Sequence, residues 1–189
     1  AFAMLDGYIK KLHLRCYRQD FNFDPLPIWR ANDEEHRRGI HEIRHIMGLY
    51  RLWDALLSAN PGLLIDNCAS GGRRNDIEML SRSIPLWRSD AQCPGDAPPE
   101  TAQCHTTGIA RWIPYSGTGI GILTGDWYRC RSCYGPAMTT EAWMYADQEI
   151  DAVSTQAMRP IFAEYLRVRP YLTADFYSIA SDATGDDVW

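Results

Sequence analysis

An α/β fold with parallel strands is what this sequence of 189 residues predicts, on three observations. Short apolar runs alternate with helical patterns along the chain, which argues for strands joined by helical crossovers. Two runs share an aromatic-Arg-x-Asp ending, Tyr17 to Asp20 and Trp87 to Asp90. Between them, in Leu63 to Asp90, one apolar run ends in Asp66, Asn67 and Cys68, a glycine turn follows, and a second run ends in Ser89 and Asp90. A complete (β/α)8 TIM barrel takes about 250 residues, so the roughly five strands expected here make up its second half, about strands 4–8. A doubly wound open sheet is the competitor. The chain starts at Ala1 and stops at Trp189 after a polar stretch. Both ends read as cut, which favours one half-barrel domain over 1–189, truncated at both ends.

Each element has a local reason. Phe2, Met4, Leu5, Tyr8 and Ile9 form the apolar face of a first helix, and Lys10 and Lys11 suit its C-terminus. Leu12 to Tyr17 alternates and predicts a strand. The loop after it contains Pro25 and Pro27, which argue against a helix there. Asn32 or Asp33 is expected to cap a helix over about 34–59, which Pro61-Gly62 ends. Leu63, Leu64 and Ile65 predict a strand buried on both faces. A short helix over about 75–82 and a strand from Ile84 to Arg88 follow. Further on, a helix is expected over Glu100–Ile113 and an extended segment over Ile120–Thr124. Tyr128–Cys133 is expected as a strand. A long helix over Glu141–Val168 should kink or break near Met158 because of Pro160. A last extended piece lies within Tyr171–Ile179. GTGIG at 117–121 lacks the dinucleotide spacing and a preceding strand, and predicts a turn.

Composition narrows the function classes. A formal net charge of −5 gives no electrostatic footprint for nucleic acid or an anionic membrane. No apolar run approaches the roughly 20 residues of a membrane span, and the N-terminus lacks the pattern of a signal peptide. The 7 Trp, 10 Tyr and 5 Phe suit core packing above all, with sugar stacking as the sharper alternative. The six cysteines offer only one tight ligand pair, Cys130-x-x-Cys133, so free, partly buried thiols are expected rather than zinc. His41 and His45 stand at i, i+4 but among Glu42 and Arg44, on what reads as a solvated face. Asp182, Asp186 and Asp187 lack a calcium-loop pattern. Neither a metal nor another cofactor is expected.

In a barrel the chemistry sits at the C-terminal ends of the strands. That puts Arg18 and Asp20, Asp66 and Cys68, and Arg88 and Asp90 on one rim. Asp20 and Asp90 lie two βα repeats apart, and alternate strands share side-chain layers. Two facing carboxylates suit glycoside hydrolysis, one attacking the anomeric carbon and one protonating the leaving oxygen. Arg18 shares a strand face with Asp20 and would hold it ionised, as a nucleophile requires. Desolvation after the Trp87-containing strand would push Asp90 toward an acid's role. An Asp after a strand is more often a cap or turn residue, Asp66 competes for either role, and Asp24 reads as a turn former. Arg73-Arg74 reads as a helix-cap and salt-bridge pair, although either could line a cleft.

The strings YRQDFN, IDNCASGGRR and PLWRSD, in this order and spacing, resemble motifs of the melibiase type of alpha-galactosidase, glycoside hydrolase family 36. The resemblance runs from about Tyr8 to Tyr177. It implies Asp20 as nucleophile, Asp90 as general acid/base, and Arg18, Cys68, Ser70 and Gly71 as substrate-binding residues. It also implies a retaining hydrolase that removes terminal alpha-linked galactose from oligosaccharides or glycoconjugates. Arg18 stands where the family commonly has Lys, and WRSDAQC lacks the family's Asn-Thr-Asp continuation. A related alpha-N-acetylgalactosaminidase therefore stays open. The family's first three strands, which supply further sugar ligands, are not in this chain. The partner implied is the missing N-terminal half of the barrel, and an incomplete, non-catalytic sugar-binding fragment is an alternative. A metal-dependent lyase or isomerase using Asp20, Asp66 and Asp90 as ligands is another. Compartment, cytoplasmic or secreted, and oligomeric state are left open.

Overall fold

A computed structural model describes residues 1–93, 97–120, 125–139 and 152–178. The chain divides into two compact units, Ala1–Ile84 and Pro85–Trp189.

Unit 1 runs α1 (Phe2–Lys11), β1 (Cys16–Asp20), α2 (Leu26–Asn32), α3 (Ile40–Ala59), β2 (Leu64–Cys68) and α4 (Ile77–Leu80). β1 and β2 pair in parallel, with Arg18 opposite Asp66 and Asp20 opposite Cys68. The core lies where α3 crosses the strands: Trp53, Leu49, Ile65 and Met79 form one cluster, and Ile9, Leu56 and Leu63 another. Trp53 is fully buried, and its indole N–H donates to Gln19 Oε1 at 2.8 Å. A buried polar N–H thus has its partner, and α3 is keyed to β1.

Several expectations for unit 1 change. The prolines do not prevent a helix after β1. Pro25 caps α2 and Pro27 sits in its first turn, where a missing N–H costs nothing. The helix expected from 34 begins at Ile40, with Gly39 at its cap in the left-handed region. Asp33 still serves that end from a distance, accepting the Gly39 and His41 backbone N–H groups at 2.6 and 3.1 Å. β2 starts one residue later than predicted and extends into Asp66, Asn67 and Cys68, while Leu64 is 51% exposed. Asp66 and Asn67 are tolerated inside because Asp66 accepts from Arg18 and Asn67 Nδ2 donates to the Arg74 carbonyl. The strand expected over 84–88 reduces to one parallel bridge between Ile84 and Asp66. Ile84 donates to Ile65 and accepts from Asn67, and Pro85, with no N–H, cannot carry the ladder on.

Unit 2 has a 3-10 turn at Asp90–Gln92, α5 (Pro99–Ile109), β3 (Gly117–Gly119), α6 (Trp127–Ser132), β4 (Ala137–Thr139), α7 (Ala152–Val168) and a 3-10 turn at Arg169–Tyr171. β3 and β4 are parallel. The core joins Ala102, Ile120, Cys130, Cys133, Met158 and Ile161. The stretch expected as a strand, Tyr128–Cys133, is helical, because Asp126 accepts the Tyr128 and Arg129 backbone N–H groups and nucleates a helix. α7 continues through Pro160 without a break. The residues of the expected long helix up to and including Asp151, those of the extended segment after Ile120, and Ile179 lie outside the described residues. No strand occurs among the described residues 172–178.

Gly117 and Gly119 of GTGIG serve close packing rather than a turn, and Gly121 lies outside the described residues. Gly117 and Gly119 are buried in β3. A Cβ on Gly117 would stand 1.9 Å from the Leu86 carbonyl oxygen, and one on Gly119 would stand 2.4 Å from the Trp87 ring. The Gly117 N–H also donates to the Pro85 carbonyl. The Leu86 backbone cannot yield as a flexible side chain would. Gly117→Ala should therefore lower stability by about 1–3 kcal/mol, read as a shift in denaturation midpoint. An unchanged midpoint would show that the 85–87 segment is not held against β3.

Candidate active site

β1 alternates, so Arg18 and Asp20 share a face. The parallel register sets Asp66 beside Arg18. The guanidinium forks between the two acids, with Nη1 at 2.5 Å from Asp66 Oδ2 and Nη2 at 3.2 Å from Asp20 Oδ2. Asp66 is buried, whereas Arg18 and Asp20 open to solvent. Partial burial works against charge on Asp20, but Cys68, Asn22 and Arg18 outweigh it and hold the carboxyl below its usual range. Asp20 is thus kept as a carboxylate, as the sequence anticipated. Asp66, the competitor for a catalytic role, is the inner anchor of Arg18.

The turn after β2 approaches the same strand end. Phe21 N–H donates to the Cys68 carbonyl at 3.1 Å, carrying the ladder one step beyond β1. Ser70 and Gly71 both have positive φ, 45° and 72°, a conformation glycine adopts at little cost. The Ser70 N–H donates to Asn22 Oδ1 at 2.9 Å. Asn22 links the loop after β1 to this turn, a role not assigned to it from sequence, although it ends the YRQDFN string. The Cys68 thiol is buried and pushed up by that burial, despite the Gly71 backbone N–H and Arg18 nearby. It therefore remains a neutral thiol at neutral pH. Unit 1 brings together Arg18, Asp20, Cys68, Ser70 and Gly71.

Asp90 stands in unit 2, at the start of the 3-10 turn that Ser89 caps by accepting the Ala91 N–H at 3.1 Å. Its Oδ1 accepts the Trp87 indole N–H at 2.9 Å. The residue is exposed, rather than desolvated as expected. Arg88 is a clearer correction. Expected on the rim, it is buried and donates to the Ala102 carbonyl and Thr106 Oγ1 at 2.9 and 2.8 Å. Burial lowers its pKa to about 10, still charged at neutral pH. It ties the segment before Asp90 to α5.

Other candidates find local roles. Asp24 accepts the Leu26 N–H at 3.1 Å, as a turn former does. Among the described residues Arg74 forms no salt bridge and caps no helix: it donates to the Gln19 and Cys68 carbonyls. His41 pairs with Asp33 at 3.3 Å, while the His45 ring packs on Trp29 and Phe21. No disulfide forms among the described residues, and Cys68, Cys130 and Cys133 are buried. The three C-terminal aspartates lie outside the described residues. A cavity of about 550 Å³ in unit 2 is lined by Trp127, Tyr128 and Tyr134, but none of its lining residues is a carboxylate.

A charge-held carboxylate beside a cation, at the C-terminal end of a parallel strand and next to a glycine turn, is an arrangement of α/β enzymes that bind ligands at strand ends. Residues 3–97 match the family model described as Melibiase. The chain belongs to that family. It is 22% identical over 191 residues to Alpha-galactosidase 1 of Pediococcus pentosaceus, covering 98% of this chain and 26% of that protein. Identity to Alpha-galactosidase AgaA of Geobacillus stearothermophilus is 30% over 80 residues, 42% of this chain and 10% of that one. A crystal structure of a variant of that family 36 enzyme with 1-deoxygalactonojirimycin gives a TM-score of 0.67 at 19% identity, covering 91% of this chain and 24% of that chain. The alpha-galactosidase from Lactobacillus brevis gives 0.65 at 20%, covering 91% and 23%. The fold is therefore that of a portion of these enzymes, and the chain spans about a quarter of the length of its full-span curated relative.

Asp20 has a lowered folded-state pKa. Its charge therefore contributes stability above the ordinary carboxyl pKa of about 3.9, and the contribution is lost as pH falls through the lower folded value. Asp20→Asn should lower the melting temperature at pH 7, and the deficit should shrink below about pH 3.9. A deficit independent of pH would contradict the ionic network.

Proposed function

We propose that this chain is the C-terminal half of the (β/α)8 catalytic barrel of a retaining alpha-galactosidase, about strands 4–8. The observation that carries the reading is the Asp66–Arg18–Asp20 network, set by strand register beside the Cys68 turn. Asp20, held ionised, attacks the anomeric carbon of a terminal alpha-linked galactose. Asp90 gives its proton to the departing glycosidic oxygen as the bond to the aglycone breaks. The galactosyl ester on Asp20 is then hydrolysed: Asp90, now a base, takes a proton from water, and water oxygen replaces the Asp20 carboxylate at the anomeric carbon. Two displacements return the sugar with its original configuration, and this route requires the two carboxyl groups about 5–5.5 Å apart.

In this reading Arg18 keeps Asp20 charged and offers its remaining N–H groups to sugar hydroxyls. Because Arg18 is already forked between two acids, it has less freedom than a Lys at this position. The neutral Cys68 thiol and the Ser70–Gly71 turn form the floor for the sugar. The remaining wall comes from the part of the barrel this chain does not include.

In the full-length protein, Asp20→Gly should lose activity on a nitrophenyl alpha-galactoside by at least about 10³-fold. Azide should restore turnover and give a beta-galactosyl azide. Failure of azide to rescue would remove Asp20 from the nucleophile's role. Asp90→Gly should slow substrates with poor leaving groups far more than activated ones, since only the former need a protonated oxygen. Equal losses on both would exclude Asp90 as the acid. Assay of the 189-residue chain alone separates this reading from a non-catalytic sugar-binding fragment, which turnover would exclude. Activity lost on treatment with a strong chelator would instead favour the metal-dependent alternative. The Arg18 cation between Asp20 and Asp66 argues against that alternative, because it occupies the place a metal would take.

A further inference from the structure

We infer that Arg74 is a positioning residue for Asp20, clamping the C-terminal ends of β1 and β2 from within the turn after β2. The inference rests on the reading of Asp20 as the nucleophile. Arg74 Nη2 donates to the Gln19 carbonyl at 3.1 Å and also to the Cys68 carbonyl. Gln19 directly precedes Asp20, and Cys68 is the register partner of Asp20. One guanidinium therefore holds the backbone on both sides of the candidate nucleophile, just where the strand ladder runs out.

Two aromatic rings flank the same guanidinium. The guanidinium carbon lies 5.7 Å from the Trp53 ring centroid and 6.0 Å from that of Phe21, within cation–π range. Trp53 itself anchors Gln19 through its indole N–H. At the other end, the Arg74 carbonyl accepts from Asn67 Nδ2 at 3.0 Å. A surface arginine awaiting an anion would point its donors at solvent, whereas here Nη2 is committed to two main-chain carbonyls and Nε is buried without an acceptor among the described residues. Arg74 also differs from Arg18, which meets carboxylates. It sets where the strand ends stand, whereas Arg18, after Cys68 and Asn22, helps hold the charge on Asp20.

The test uses the full-length enzyme. Arg74→Met should lower kcat on a nitrophenyl alpha-galactoside by about 100-fold, the scale of a misplacement of roughly 1 Å. KM should stay within about threefold, because Arg74 does not touch the sugar. Arg74→Lys, which keeps the charge and one donor cluster, should recover part of the loss. If the Met variant does not fold, the Lys variant carries the comparison. A raised KM with unchanged kcat would make Arg74 a substrate ligand, and wild-type kinetics in a folded variant would remove it from the site; either overturns the inference.

A second readout does not depend on turnover. The Asp20 carboxyl, followed by 13C NMR, should titrate at higher pH in Arg74→Met, since a nearby cation and its ordered carbonyl frame are lost. The other groups that face this strand end, Arg18 on β1, Asp66 and Cys68 on β2, and His45 on α3 beyond Phe21, are the same in both proteins. An unmoved titration would overturn the inference. If the wild-type protein does not hydrolyse the galactoside, the functional reading fails and the titration alone decides the role of Arg74.

Discussion

The parallel register between β1 and β2 is the constraint on which unit 1 depends. It puts Arg18 opposite Asp66 and Asp20 opposite Cys68. A slip of one residue would turn every side chain of β1 to the other face. Arg18 and Asp20 would then point into the α3 packing, and Gln19 would lose the Trp53 indole that keys the strand to the helix. The charge network at the strand ends and the apolar cluster beneath α3 thus impose the same register. That agreement is why a short two-stranded pairing can hold a carboxylate in place.

Three arginines illustrate how the surroundings of a cation decide its role. Arg18 is partly exposed and meets two carboxylates, so it bridges Asp66 and Asp20 by ion pairs. Arg74 is half-buried between two rings and meets two carbonyls, so its effect is on backbone position. Arg88 is buried most deeply and meets a helix carbonyl and a hydroxyl, so it braces α5 against the segment leading to Asp90. Each guanidinium has at least one acceptor for its Nη groups, which offsets the cost of burying it, although Nε of Arg74 and of Arg88 is buried without a partner among the described residues. Only Arg18 keeps enough exposure to meet a ligand.

Membership of the melibiase family gives these contacts a context, and the match falls mainly on unit 1. The long-span relative is about four times the length of this chain. Unit 1 carries the carboxylate, its cation and the glycine turn, whereas Asp90 stands in unit 2 in an exposed turn beside Trp87. The functional reading therefore assigns the remaining sugar contacts to the rest of the full-length protein.

The alternation of apolar runs and helical patterns was enough to predict parallel strands, and the strand-end motifs were enough to nominate Arg18, Asp20 and Cys68. Asp33 was also legible as a helix-start residue, because carboxylates accept exposed N–H groups wherever the chain brings them near. Other features depended on partners distant in sequence. The buried Asp66 looks like a surface residue until Arg18 arrives to bond it, and the Asn67 backbone N–H finds its acceptor at Ile84. Gly117 and Gly119 read as a turn because nothing local reveals Leu86 and Trp87 pressing on their Cα atoms. Arg88 and Arg74 read as rim or cap residues because an arginine's acceptors, here on α5 and at the two strand ends, are not encoded beside it. What is legible locally is the order of chemical groups and much of the apolar periodicity, because these depend on near neighbours, although the caps at Pro25, Gly39 and Asp126 are not evident there. Which groups are buried, paired or open emerges from the fold, because burial and pairing are set by residues tens of positions away.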